Sequence, residues 1–499
     1  MYLLGIDIGS SSVKVCLLNA QTGTTVASAF SPKIEMEIVA AQAGWAEQHP
    51  SAWWENLKLA TNEVLIQSKI TKADIKAIGI SYQMHGLVCV DKAGEVLRPS
   101  IIWCDSRAVA LGNKAFDNIG KEKCLQHLLN SPGNFTASKL KWVKENEPAV
   151  FEKIDKILLP GDYIAYKLSG VLNTTSTGLS EGILWDFKEN DIAHLLLNEY
   201  EFPASILPPL VPVFGEQSVL SATAAAALNL EVGTPISYRA GDQPNNALSL
   251  NVLKPGEVAT TAGTSGVIYG VSDEAKYDPE SRVNTFVHVN HTAQNPRYGV
   301  LLCINGTGIL NSWLKNNFFG LNTLMSYPEL NAMAEAVPVG SEGVTFLPFG
   351  NGAERVLSNK DLGAHLLNAR FNTHKAGHIL RAAQEGIVFA LKYGLDIMKT
   401  VGVQANTIKA GKANMFLSPI FSKTFATICQ AQVELYNTDG AQGAARGAGV
   451  GANIYKNFSE AFSGLKVVET ITPDEKNKAQ YEDAYGRWLK ALDAAMEKN

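Results

Sequence analysis

An apolar run at the start of the chain ends at Asp7. A turn of small residues spans Gly9 to Ser12, and a second, alternating apolar stretch covers Val13 to Leu18 before Gln21-Thr22-Gly23 turns the chain again. This pattern predicts a β-hairpin. Helical spacing follows Pro50, where Trp53, Leu57, Ala60 and Val64 step by four, three and four. The run AIGISYQMHGLVCVD reads as a strand closed by the turn Asp91-Lys92-Ala93-Gly94. Residues from about 135 to 170 are mostly helical in pattern, and strand character returns at PISYRAGD.

A second hairpin is predicted at EVATTAGTSGVIYGVS, opened by the turn Lys254-Pro255-Gly256-Glu257. Its turn Gly263-Thr264-Ser265-Gly266-Val267 echoes Gly9-Ser10-Ser11-Ser12-Val13, which suggests two similar halves with a boundary around 247–256. Leu380, Ala383, Ile387, Leu391, Leu395 and Met398 mark a long amphipathic helix. The stretch DGAQGAARGAGVGA from Asp439 is poor in bulky side chains, so a helix there can approach a neighbour closely. From Pro473 on, Tyr481, Tyr485, Trp488 and Leu492 form the apolar face of a terminal helix. Its polar face mixes both charge signs, so packing on the protein is expected rather than membrane binding.

Composition narrows the class. The chain has 499 residues, 46% hydrophobic and 18% charged, which predicts more than one globular domain. A net charge of -5 offers no basic footprint for nucleic acid or an anionic membrane. No basic n-region precedes the first strand and no apolar run reaches membrane-spanning length, so a cytoplasmic protein is expected. The six cysteines include no C-x-x-C pair, which suggests reduced, mostly buried thiols, and the histidines lack zinc spacing.

Some segments carry candidate chemistry. A turn of small residues exposes backbone N–H groups that can surround phosphate oxygens, and Asp7 before the first turn could hold Mg²⁺ through water. An ordinary hairpin ending in Asp has the same pattern. In RAGDQPNNA, Asp242 follows an apolar strand and could accept a proton from an attacking hydroxyl, or simply bond its own backbone. Gln83, Met84, His85 and Gly86 interrupt an apolar strand, and His85 could meet a sugar oxygen or be a satisfied core residue. In Trp103-Cys104-Asp105-Ser106-Arg107, Asp105 could accept from sugar hydroxyls, while Arg107 could pair with it.

Taken in order, GIDIGSSSVKV, WAEQHPSAWW, QMHG, IIWCDSR, LLPGDYIAYKLSG, TSTGLSEGILWD, AGDQPNNA, TTAGTSGVIYG, FLPFGNGAER, RAAQEGIVFAL and GAQGAARGAG resemble the FGGY carbohydrate kinases over nearly the whole chain. Within that family QMHG and WCDSR are similar to the xylulokinase branch and differ from the glycerol kinase-like members. The resemblance implies an α/β fold of two actin-like (ribonuclease H-like, ASKHA) domains flanking a catalytic cleft. It implies residues 1–250 as the N-terminal domain, with sugar binding and the first phosphate loop. Residues 251–499 would form the nucleotide-binding C-terminal domain.

It further implies ATP and Mg²⁺ as cofactors, Asp242 as catalytic base, and a metal reached through water by Asp7 and Asp242. Gln83, Met84, His85, Asp105 and Gln243 become the expected sugar contacts. Asp7, Gly9, Ser10, Ser11, Gly263, Thr264, Gly266, Gly411, Lys412 and Asn414 become the expected nucleotide contacts. The expected reaction is ATP-dependent phosphorylation of D-xylulose in pentose catabolism. The alternatives are another ketose or polyol as acceptor, or a sugar-binding regulator that no longer uses ATP. Expected partners are the sugar and ATP, with a homodimer possible and no nucleic acid or membrane.

Three segments depart from the family pattern. The usual Gly-Gly-Gly-Ala of the adenosine loop reads Ala410-Gly411-Lys412-Ala413, so a lysine either crowds the nucleotide or reaches its phosphates. GAHLLNAR after Leu362 lacks the second glycine of a G-x-x-x-G spacing. The common E-R-T-P reads Glu354-Arg355-Val356-Leu357.

Overall fold

In the computed structural model, which describes residues 1–319 and 325–498, the chain forms two α/β units. The first comprises Met1–Asn251, Phe286–Tyr298 and Thr438–Leu465; the second comprises Val252–Thr285, Gly299–Asn437 and Lys466–Asn499. The sequence-based division at 250/251 therefore falls one residue from the first crossing. The segments Phe286–Tyr298 and Thr438–Leu465, expected in the C-terminal domain, fold with the first unit instead.

The first unit is built on a sheet of strands β1 (Tyr2–Ile8), β2 (Val13–Asn19), β3 (Thr25–Ser31), β4 (Ile75–Tyr82), β5 (Phe214–Val219) and β6 (Pro235–Gly241), in the order β5-β6-β4-β1-β2-β3. β1, β4 and β6 are parallel, while β2, β3 and β5 are antiparallel to their neighbours. β2 buries a continuous apolar run rather than one face, because both sides of this sheet are covered. The run AIGISYQMHGLVCVD is not one strand. β4 ends at Tyr82, the QMHG segment turns with His85 at φ 63°, and Val88–Val90 forms a separate short strand.

The helix Gly440–Gly451 covers β1 and β4 at backbone contact. A Cβ on Gly5 would overlap the Ala441 carbonyl oxygen, and one on Gly79 would overlap that of Ala444. The Asp439 side chain caps this helix by accepting the Gln442 N–H at 2.9 Å.

The second unit repeats the plan. Strands β7 (Glu257–Ala262), β8 (Gly266–Ser272), β9 (Tyr298–Ile304), β10 (Thr407–Gly411), β11 (Gln432–Tyr436) and β12 (Val467–Ile471) run in the order β12-β11-β10-β7-β8-β9, and the short strand Asn284–Val287 completes the sheet at the edge beside β9. The hairpin β7–β8 occupies the place of β1–β2, with β10 and β11 parallel to β7 as β4 and β6 are to β1. The echo between the two small-residue turns thus reflects a repeated topology. The long helix Ala376–Thr400 buries Leu380, Ile387, Leu391 and Leu395. The terminal helix Lys478–Lys498 packs within this unit, where Trp488 Nε1 donates to the Phe346 carbonyl at 3.0 Å.

Among the described residues no helix is long and apolar enough to cross a membrane. Cys16, Cys89, Cys124 and Cys429 are buried free thiols, whereas Cys104 is exposed and Cys303 partly so.

Candidate active site

Three parallel strands end side by side in the first unit. Ile8 of β1 pairs with Tyr82 of β4, which pairs with Gly241 of β6. The residues that follow or flank these ends are Asp7, Gln83-Met84-His85 and Asp242. Carboxyl ends of parallel strands are where α/β sheets present their chemistry, and Asp242 opens the helix Asp242–Ser249.

Asp242 is partly exposed, and its carboxyl is raised to about 7. Burial is the main cause and the Asp7 charge the second. The Gln243 main-chain and side-chain amides beside it pull in the opposite direction. Asp7 is also raised, first by burial, with Asp439 adding to the rise and the Ser81 hydroxyl and Lys14 ammonium opposing it. Lys14 pairs with Asp439. A Cβ on Gly440 would strike the Asp7 carboxylate, so only glycine lets the helix N-terminus come this close. Asn245 Nδ2 donates to the Gly440 carbonyl at 2.8 Å and ties the Asp242 helix to the same point.

The two partly exposed carboxylates suit a hydrated dication. Asp7 disfavours the charge on Asp242, and a positive ion would relieve that cost. Among the described residues no group of three or more His, Cys, Asp or Glu side chains forms a closed cage. Asp7 and Asp242 are the residues that could hold Mg²⁺, which commonly keeps several of its waters.

The first small-residue turn lies at the end of β1. Gly9 N donates to Ser12 O at 3.0 Å, and Met36 N to Ser11 O at 2.8 Å. Trp103 Nε1 reaches Ser10 Oγ at 3.3 Å. Gln48, not singled out from the sequence, steadies this turn. Its Nε2 donates to Ser10 O at 2.7 Å, while its Oε1 accepts from Trp53 at 3.0 Å and from Gln83 at 3.3 Å.

His85 is clamped on several sides. Its Nδ1 bonds the Glu181 carbonyl at 2.8 Å, so that nitrogen carries a proton. Phe135 meets the ring edge-on at 4.8 Å between centroids, and Phe286 lies at 5.7 Å. Met84 is buried, and its Cγ would lie 2.6 Å from a Cβ on Gly241.

Glu181, also missed in the sequence, has its Oε2 2.8 Å from the same point. Both its oxygens are buried without a hydrogen bond, although the Tyr82 hydroxyl lies near enough to affect its charge. Burial, with Asp242 and Asp162 adding to it, raises this carboxyl well above the usual range.

Asp105 corrects the expectation of a sugar contact. It is fully buried. One oxygen accepts the Arg107 N–H at 2.9 Å, the other accepts Ala46 N at 2.6 Å, and the Arg107 guanidinium bonds both. No acceptor capacity is left for a sugar hydroxyl.

In the second unit, the Gly263 and Thr264 carbonyls accept Gly308 N at 2.9 Å and Ile309 N at 3.1 Å. The turn is thereby fixed to the start of the helix Gly308–Phe318. Gly266 is required for packing, because a Cβ there would lie 2.6 Å from Thr307 Oγ1. Asn414 Nδ2 lies 3.5 Å from where a Gly263 Cβ would be, so the Gly411–Asn414 segment adjoins the turn. The Lys412 ammonium pairs with Glu469 at 3.0 Å. Glu354 is buried and accepts the Asn305 and Gly306 N–H groups at 2.9 and 3.3 Å.

The N-terminal domain pattern of the FGGY family of carbohydrate kinases matches residues 2–249, and its C-terminal domain pattern matches residues 258–454. The xylulose kinase of Escherichia coli (strain K12) is 30% identical over 489 residues, covering 97% of this chain and 96% of that protein. The xylulose kinase of Bacillus subtilis (strain 168) is 28% identical over 496 residues, covering 97% and 95%. The crystal structure of xylulose kinase from Rhodospirillum rubrum aligns at a TM-score of 0.88 and 26% identity, covering 100% of this chain and 99% of that one. A repeated α/β plan with a carboxylate at the strand ends, on a chain with these relatives, is that of a phosphotransferase using ATP. The chain belongs to the FGGY family of carbohydrate kinases.

Proposed function

We propose that this chain phosphorylates the terminal hydroxyl of D-xylulose with ATP, giving D-xylulose 5-phosphate. The observation that carries the reading is the seating of the Gln83-Met84-His85 turn against the strand end that bears Asp242. The full-length relatives that are themselves named xylulose kinases support it. Asp242 takes the proton as the sugar oxygen attacks phosphorus, and a carboxyl near 7 suits a base working near neutrality. His85 hydrogen-bonds a sugar oxygen, while Gln83 and Gln243 offer amides. Amides of the Gly9–Ser12 turn and of the Gly263–Gly266 turn bind phosphate oxygens. The Gly411–Asn414 segment lies along the nucleotide. Bound Mg²⁺ supplies charge neutralisation for the transferring phosphoryl group.

Gln243 beside the base favours including other ketoses and polyols in any test. The expected result is ADP release from Mg-ATP that depends on D-xylulose and exceeds that with other pentoses, pentitols and hexoses. Release highest with a different sugar would replace the acceptor, and no sugar dependence at all would sink the reading. His85→Asn is the sharper probe, because asparagine tolerates the left-handed backbone that His85 adopts. It is expected to raise the sugar KM about tenfold, the loss of one hydrogen bond with its ring packing, and to leave the ATP KM near its original value.

A further inference from the structure

Lys139 is fully buried on the helix Thr136–Asn146 and touches both the QMHG turn of the proposed sugar site and the segment that leads into Trp103. Its ammonium donates to the His85 carbonyl at 2.8 Å and to the Ile102 carbonyl at 2.9 Å. The first carbonyl belongs to the residue whose φ of 63° swings the QMHG turn off the end of β4. The second lies immediately before Trp103, which reaches Ser10 of the first turn. One side chain therefore fixes two loops that are distant in sequence.

The surroundings fit a tether rather than a space filler. Burial pulls the Lys139 ammonium down to about 7, and the Asp105 charge is the chief influence holding it up. Asp105 is in turn locked by Arg107 and by Ala46 N. The Arg107 guanidinium stacks on Trp45 at 3.8 Å and on Trp142 at 4.8 Å. A buried lysine is costly to keep unless its donors are used, and here two of its three donors go to backbone carbonyls at the site. Asp105, excluded as a sugar ligand, acquires a place as part of the charge environment that retains this cation.

We infer that Lys139 is a positioning residue for the proposed sugar site, holding the QMHG turn in fixed register with the Ile102–Trp103 segment. The inference rests on the proposed sugar-kinase reading. It predicts an effect on sugar recognition that a purely structural lysine would not give.

The test compares wild type, Lys139→Met and Lys139→Arg as full-length chains, using D-xylulose and the same sugar panel. Lys139→Met is expected to weaken sugar binding, read by calorimetry without ATP and by KM, by about tenfold or more, since small displacements of a positioning group carry large penalties. The ATP KM stays within about twofold, the discrimination among panel sugars narrows, and Lys139→Arg recovers part of both losses. A variant that melts earlier yet keeps wild-type sugar KM and discrimination would overturn the inference and leave the lysine structural. Hydrogen exchange on wild type gives an independent reading should the variants not fold. Sugar binding is expected to protect residues 83–87 and 101–106 together, and protection of one segment without the other would overturn the coupling. A wild type with no sugar dependence fails the substrate reading itself, which separates the two failures.

Discussion

Asparagine in place of Asp242 is expected to lower kcat by about 10²–10⁴-fold, the usual contribution of a positioned general base. The substitution keeps the side chain's shape and one acceptor oxygen for the Gln243 amides, so the fold should persist. In wild type the turnover should rise with pH through about 7 as the carboxyl gives up its proton. That ionisation should vanish from the variant's profile. Near wild-type turnover in the variant, or an acid limb that survives unchanged, would remove Asp242 from the base role.

The same charge has a stability signature. A carboxyl held above its ordinary range binds its proton more tightly folded than unfolded. Its contribution to stability therefore falls as pH rises from the ordinary carboxylate range toward about 7. Asp242→Asn should melt at a higher temperature than wild type at pH 8 without added divalent metal, and the gap should close near pH 4. An enzyme that is destabilised by its own base is following the common trade between stability and activity.

The largest expected loss of stability comes from Gly79→Val. At this position even a Cβ would overlap the Ala444 carbonyl oxygen. The obstacle is backbone of the Gly440–Gly451 helix, which cannot rotate aside as a side chain can. The helix must move off β1 and β4 or the strand must bend, at a cost of about 3 kcal/mol or more. Urea unfolding of the first unit should show a sharply lower midpoint. Gly486→Ala is the control, because nothing lies within 4 Å of a Cβ there and its site is helical. That change should be neutral or stabilising by about 0.5–1 kcal/mol. Equal midpoints for the two variants would show that close helix–sheet approach is not what glycine provides at position 79.

Features with a local period were readable in the sequence. Both hairpins, the Ala376–Thr400 helix and the small-residue helix follow from spacing and composition, and the echo between turns anticipated the repeated topology. Asp7, Asp242 and the QMHG turn were found because each interrupts or ends an apolar run. Features that depend on a distant partner were not readable. Asp105 looks the same in sequence whether it meets a sugar or a buried guanidinium, and only the fold supplies Arg107 and Ala46 N. Lys139 and Phe286 lie outside every segment that carries the resemblance, and Gln48 and Glu181 lie inside two of them with no chemistry legible at those positions; their relevance appears when separate segments converge on His85 and Ser10. Lys412 was weighed only against the nucleotide, because Glu469 comes alongside it through the pairing of β11 with β12.

The late position of the Gly440–Gly451 helix affects how the chain emerges from a ribosome. β1 and β4 are made early, but the helix that seals Gly5 and Gly79 arrives more than 350 residues after Gly79. Until then the floor of the first unit stays uncovered, and Asp7 lacks the helix end that faces it. The first unit is not complete until Leu465 has been made, after most of the second unit, so it cannot fold as a finished domain early in synthesis. Both units reach their final form only near the end of translation, so an interrupted chain carries Asp7 and Asp242 without the helix that packs against them.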